Sequence, residues 1–153
     1  MSNPTDIMKL NFLKEDIPWE HGRDLFTLWQ SKRKNARWPT RGAITPMEMK
    51  PYLEHVMLID VERDPLDFRV RLSGTGYRWY MPYDPTGTRI QDMPNGNDIF
   101  ARFSRLLELK QPYLGLNMPL MWATVDYKRF DVLVLPFGDA HNINTLMLLV
   151  NYL

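Results

Sequence analysis

The sequence predicts an α+β domain: a five-stranded antiparallel sheet with short helices over one face and a helical extension at its N-terminus. Three observations carry this prediction. Strand-like segments gather in two runs with helical segments between them, an order that favours an antiparallel sheet covered on one face over a parallel nucleotide-binding sheet. The 153 residues are 44% hydrophobic and 24% charged, which suits one packed core. Between Ser73 and Met93, Gly74, Gly76, Pro82, Pro85 and Gly87 leave room only for short helical turns.

Residues 1–20 mix charge with Pro4 and Pro18 and hold no period, so they are expected to form a mobile arm or a loosely docked extension. Residues 21–54 read as a helical segment. Leu25, Phe26, Leu28 and Trp29 fall at helical spacing and predict a short amphipathic helix over Gly22 to Asn35, ended by Trp38-Pro39. Thr45-Pro46-Met47-Glu48 is a helix start, with Thr45 as cap, Pro46 in the first position and Glu48 reaching back; Pro51 keeps this helix short.

Residues 55–153 supply the sheet. His55 to Glu62 reads as a buried strand, Asp64-Pro65-Leu66-Asp67 as a turn, and Phe68-Arg69-Val70-Arg71-Leu72 as a second strand with one apolar and one basic face. Tyr77-Arg78-Trp79-Tyr80 suits a helical turn. Asn97 is the expected cap of a longer helix through Lys110, with Phe100, Phe103 and Leu107 on its packed face and Pro112 as its stop. Tyr113 to Trp122, Tyr127 to Leu135 and Asn144 to Tyr152 complete the sheet, with Phe130, Val132 and Val134 on one side of the middle strand.

Composition excludes much chemistry. The absence of cysteine removes disulfides, thiolate metal sites, iron–sulfur clusters and cysteine nucleophiles. A net charge of +1 gives no global reason to bind nucleic acid or an acidic membrane. The first residues do not resemble a secretory signal and no apolar run reaches the length of a membrane span, so a cytoplasmic protein is expected.

The order of elements resembles the PAS fold, in which a five-stranded antiparallel sheet cups a small pocket under short helices and one longer helix. The run Asp67-Phe68-Arg69-Val70-Arg71-Leu72-Ser73-Gly74-Thr75-Gly76 is similar to the strand-to-helix junction of a family of stand-alone bacterial PAS proteins. Trp29 with Arg41 to Pro46, Tyr83-Asp84-Pro85-Thr86-Gly87 and Asp131-Val132-Leu133-Val134-Leu135-Pro136 resemble further stretches of that family. Asp131 departs from the pattern, where Glu is more usual. The resemblance spans residues 22 to 152 and implies a sensory or adaptor domain without catalysis. Its ligand contacts are expected from Arg71, Tyr77, Tyr80, Phe100, Phe103, Met118, Val132 and Val134.

No cofactor is expected. Haem-bearing PAS domains usually ligate iron from the long helix and flavin photosensors of the fold use a cysteine there, so the resemblance, with no histidine from Asn97 to Lys110 and no cysteine, disfavours haem and a cysteinyl-flavin adduct; a small organic ligand remains compatible with the fold. Tyr77, Trp79, Tyr80 and Tyr83 with Phe100 and Phe103 either line a pocket or fill the core. Met118, Met121 and Met147 either form an adaptable lining or pack inside. The three histidines stand at no metal-ligand spacing, and Asp64, Asp67, Asp84 and Asp139 read as turn residues rather than a catalytic pair. Gly74 and Gly76 lack the third glycine and long helix of a dinucleotide site.

The charge is uneven. From His21 to Arg41 six basic side chains face the single acid Asp24. Trp29, Lys32, Arg33, Lys34 and Arg37 are therefore the expected contacts for a partner or a phosphate, and the same stretch supports the alternative of a nucleic-acid-binding module. The expected partner is a signalling protein such as a kinase or regulator. A homodimer through the Gly22–Asn35 helix is a second assembly that the resemblance implies, nucleic acid is the less favoured partner, and no membrane span is expected.

Overall fold

The computed structural model describes residues 3–79, 81, 83–119 and 128–153. Among these residues three α-helices, α1 (Glu20–Arg33), α2 (Pro46–Met49) and α3 (Gly96–Leu109), accompany five strands: β1 (Val56–Glu62), β2 (Asp67–Ser73), β3 (Tyr113–Pro119), β4 (Arg129–Gly138) and β5 (Ile143–Tyr152). The strands form one antiparallel sheet in the order β2-β1-β5-β4-β3. The first and last parts of the sequence thus meet at its centre, where β1 pairs with β5.

Local chemistry explains most element boundaries. Thr45 and Glu48 close a capping box around α2, each accepting from the other's backbone N–H at 3.2 and 3.0 Å. α3 starts two residues earlier than the sequence expectation. Asn95, in the left-handed region at φ 60°, precedes it and Asn97 lies within the first turn. Gly96 runs against the Ile90 carbonyl, where a Cβ would collide. The buried stripe of α3 is Ile99, Arg102, Phe103 and Leu106, with Phe100 and Leu107 on its flank, so the packed face is rotated from the one expected. The parts of the expected β3 and β4 from Leu120 to Tyr127 lie outside the described residues.

Alternation divides the sheet into two faces. Cross-strand partners Met57 and Leu148, and Val132 and Val150, point toward α3. Val56, Leu133 and Leu149 point the other way and are also buried, because α1 covers that side. Leu25, Phe26 and Trp29 form its inner face, and the Trp29 indole Nε1 donates to the Pro136 carbonyl of β4 at 2.9 Å.

The expected mobile or loosely docked arm is packed onto the core. Its Met8, Phe12 and Ile17 are buried, Lys9 pairs with Leu114 at the free edge of β3, and the Phe12 ring lies 4.9 Å from that of Phe26. Isolated apolar residues among charges show no period, so only tertiary contact reveals their role. Both sheet edges are covered, since Val70 and the segment around Gly87 and Thr88 exchange backbone bonds beside β2.

Trp29→Phe keeps the ring but strands the buried Pro136 carbonyl. It should lower unfolding free energy by about 1–3 kcal/mol in urea titrations with an unchanged m-value.

Candidate ligand site

A cavity of about 440 Å³ lies between the inner face of the sheet and α3. Its floor comes from all strands but β2: Met57 of β1, Tyr113 and Met118 of β3, Phe130 and Val132 of β4, Leu148 and Val150 of β5. Its roof is Ile99, Arg102 and Phe103 of α3 with Ile90 and Met93 from the turn before it. Tyr77 and Met81 close one end, and Asn3, Pro4 and Ile7 form another wall. Most of this lining is apolar, and Met57, Met81, Met93 and Met118 give it side chains that repack at little cost.

A bulge in β3 builds part of the floor. The register shifts between Gly115 and Met118, and Asn117 takes φ 52°. The buried Asp131 carboxylate accepts from the Asn117 backbone N–H at 2.9 Å and from Asn151 Nδ2 at 3.3 Å, which holds the bulge. Met118 folds back against Gly115, where a Cβ would strike its sulfur. Asp131 thus shapes the cavity without entering it.

Among the described residues the polar lining groups are few: Asn3, Tyr77, Asn95, Asp98, Arg102 and Tyr113. Tyr77 donates its hydroxyl to the His55 carbonyl at 3.1 Å, and burial pushes its phenol well above its ordinary value. Tyr113 is pushed up to about 12, mainly by burial, against the pull of the neighbouring Arg102 guanidinium. Arg102 is 6% exposed and donates from Nη1 to the Pro4 carbonyl at 3.4 Å. Asp98, one turn earlier on α3, lines the same cavity and is half-buried.

The structure brings together only part of the set expected from sequence. Tyr77, Phe103, Met118 and Val132 line the cavity. Phe100 instead packs edge-on against Phe68, with ring centroids 5.4 Å apart, and Val134 is buried on the same sheet face but outside the lining. Arg71 lies on the opposite face, exposed and paired with Asp60 at 3.3 Å; the alternation of β2 that buries Phe68 and Val70 turns it outward. Tyr80, Met121 and the Trp79 side chain lie outside the described residues. Tyr83 is exposed, and Met147 packs away from the cavity. Sequence reasoning missed Arg102 and Tyr113. For Arg102 the signal was available: it stands three residues after Ile99 and one before Phe103, on the apolar stripe of an amphipathic helix.

The basic stretch does not form one surface. Trp29, expected to contact a partner or phosphate, is 3% exposed and belongs to the core. Lys32 pairs with Glu48 at 3.0 Å, Arg33 lies over the Trp29 ring and bonds the Ala36 carbonyl, and Arg37 reaches the Leu109 carbonyl at 3.5 Å. Lys34 stays exposed at the C-terminal end of α1. Trp38 is buried too and donates to the Asp139 carbonyl at 2.8 Å.

Residues 19–84, from α1 through β2 to the turns beyond it, match the family model described as a PAS domain. The chain has a PAS-like fold. The match ends before α3, and the remaining strands complete the five-stranded sheet that cups a cavity under short helices and one longer helix. The family match supports a sensory or signalling role for the PAS-like domain. No curated protein matches the chain by sequence. Among the described residues no helix is long and apolar enough to cross a membrane, and no three of His, Asp or Glu gather as metal ligands.

The raised phenol of Tyr113 fixes the sign of an alkaline effect. Folding favours the neutral phenol, so its contribution is complete below its ordinary value of 10.0 and is lost as pH rises toward about 12. Urea stability should therefore fall between about pH 10 and about pH 12, and Tyr113→Phe should make that fall shallower.

Proposed function

We propose that this PAS-like domain is a sensory or adaptor module of bacterial signalling that holds a small apolar or amphipathic ligand in the cavity between α3 and the sheet. It passes occupancy on by contact with a partner such as a kinase or regulator. The observation that carries the reading is the cavity: about 440 Å³ and mostly apolar, with Met57, Met81, Met93 and Met118 in its lining. That volume falls in the range of small-molecule sites, and its few polar groups are placed to orient a guest rather than to solvate it.

The reading is non-enzymatic. Of the titratable groups on the cavity wall, Tyr77 already donates to a carbonyl, Tyr113 is held protonated by burial, and Arg102 and Asp98 are not joined in an acid–base pair. No cofactor is assigned, and a cytoplasmic location is part of the same proposal. Nucleic-acid binding loses its main support, because the tryptophans that should stack on bases are buried and Lys32 is paired. A homodimer through α1 would have to use its outer face, where Asp24, Thr27, Gln30 and Ser31 are exposed.

Thermal unfolding with 1-octanol and with 3-phenylpropan-1-ol tests the cavity. At concentrations near 100 times Kd the melting temperature should rise by about 5 to 10 °C. Val132→Phe, which fills the floor, should abolish the rise; no shift with either compound in the parent protein would contradict the reading.

A further inference from the structure

Arg102 is the feature of the cavity that packing does not explain. α3 sets it on its buried stripe among Ile99, Phe103 and Leu106, where an apolar side chain is the ordinary occupant. A cation removed from water is costly unless an opposite charge or a full set of acceptors replaces the lost hydration. Arg102 has neither. Its bond to the Pro4 carbonyl is long at 3.4 Å, and the Tyr113 hydroxyl is its other neighbour.

Other arginines show the contrast. Arg69, Arg71, Arg89 and Arg105 are solvent-accessible and each has a carboxylate, from Glu62, Asp60, Asp67 and Glu108. Arg102 is the buried one and, among the described residues, has no carboxylate within 4.0 Å. The guanidinium carries several N–H donors in a planar fork that matches a carboxylate, and Arg102 lines a mostly apolar cavity.

The geometry points to an amphipathic monocarboxylic acid as the guest, its carboxylate held by Arg102 with the Tyr113 hydroxyl as a second donor and its tail against Met57, Met118, Phe130 and Val132. This rests on the reading of the cavity as a ligand site. One guanidinium offers one positive charge, and Asp98 on the same wall disfavours a second negative charge on the guest, so a dicarboxylate or phosphate monoester fits less well. The acid supplies the counter-charge that no described residue places within 4.0 Å of Arg102.

Calorimetric titration with two matched pairs tests this: octanoate against 1-octanol, and 3-phenylpropionate against 3-phenylpropan-1-ol. The parent protein should bind an acid about tenfold to a hundredfold more tightly than its alcohol, the range expected for a hydrogen bond to a charged group out of water. Arg102→Met should erase that preference, bringing acid affinity down to that of the matched alcohol. Arg102→Gln, which keeps a donor for the Pro4 carbonyl, should do the same if the methionine variant does not fold. Ligand-free Arg102→Met should melt at the parent temperature or above, whereas an arginine kept only for structure would lower it. Asp98→Asn should raise acid affinity a fewfold. Alcohols binding as tightly as acids to the parent protein, or a preference that survives both Arg102 variants, would overturn the acid assignment and leave the cavity intact. Binding of none of the four compounds would overturn both.

Discussion

The contact of Phe68 with Phe100 and Phe103 sets how far α3 stands from the sheet. Both pairs meet edge to face, with centroids 5.4 and 5.3 Å apart, and the three rings form a wedge between β2 and the helix. At that end the space is full. Toward β3 and β4 the helix presents Ile99 and Arg102 over smaller floor residues such as Val132 and Val150, and the cavity opens there. The N-terminal turn Pro4–Ile7 packs on the same helix and walls one side.

The rest of the molecule makes the floor rigid. β4 and β5 are buried on both faces, with α1 behind them and Trp29 bonded to the β4 backbone. Lys9 covers the edge at β3 and the segment around Thr88 covers the edge at β2. A sheet closed in this way leaves adaptability to the lining side chains, four of them methionine. Such a cavity can alter its shape around a guest while the strands hold still, and a change in α3 or the N-terminal turn is then the route by which a partner could read occupancy.

The sequence made the sheet legible because its strands carry strong local signals. The Asp64 to Asp67 turn, the alternation of Phe68 and Val70 with Arg69 and Arg71, and the Thr45–Glu48 capping box all act within a few residues. The same alternation already placed Arg71 away from the cavity, and the resemblance, not the pattern, put it among the ligand contacts. Contacts that span the chain were harder to read. Met8, Phe12 and Ile17 dock through partners far along the sequence, and Trp29 looked like part of a basic surface because its bond to Pro136 is invisible locally. Asp131 acts through a bulge in the neighbouring strand, which one strand's own pattern cannot announce. Arg102 is the intermediate case: helical spacing put a cation on an apolar stripe, and only the cavity gives that placement a purpose.

The most direct measurement is a crystal structure of the protein grown with 8-bromooctanoate, using the anomalous signal of bromine to locate the guest. A bromine peak is expected inside the cavity beside Met57, Met118 or Phe130, with the carboxylate within hydrogen-bonding distance of the Arg102 guanidinium. Bromine found only on the outer surface, with α3 collapsed onto Val132 and Val150, would contradict it.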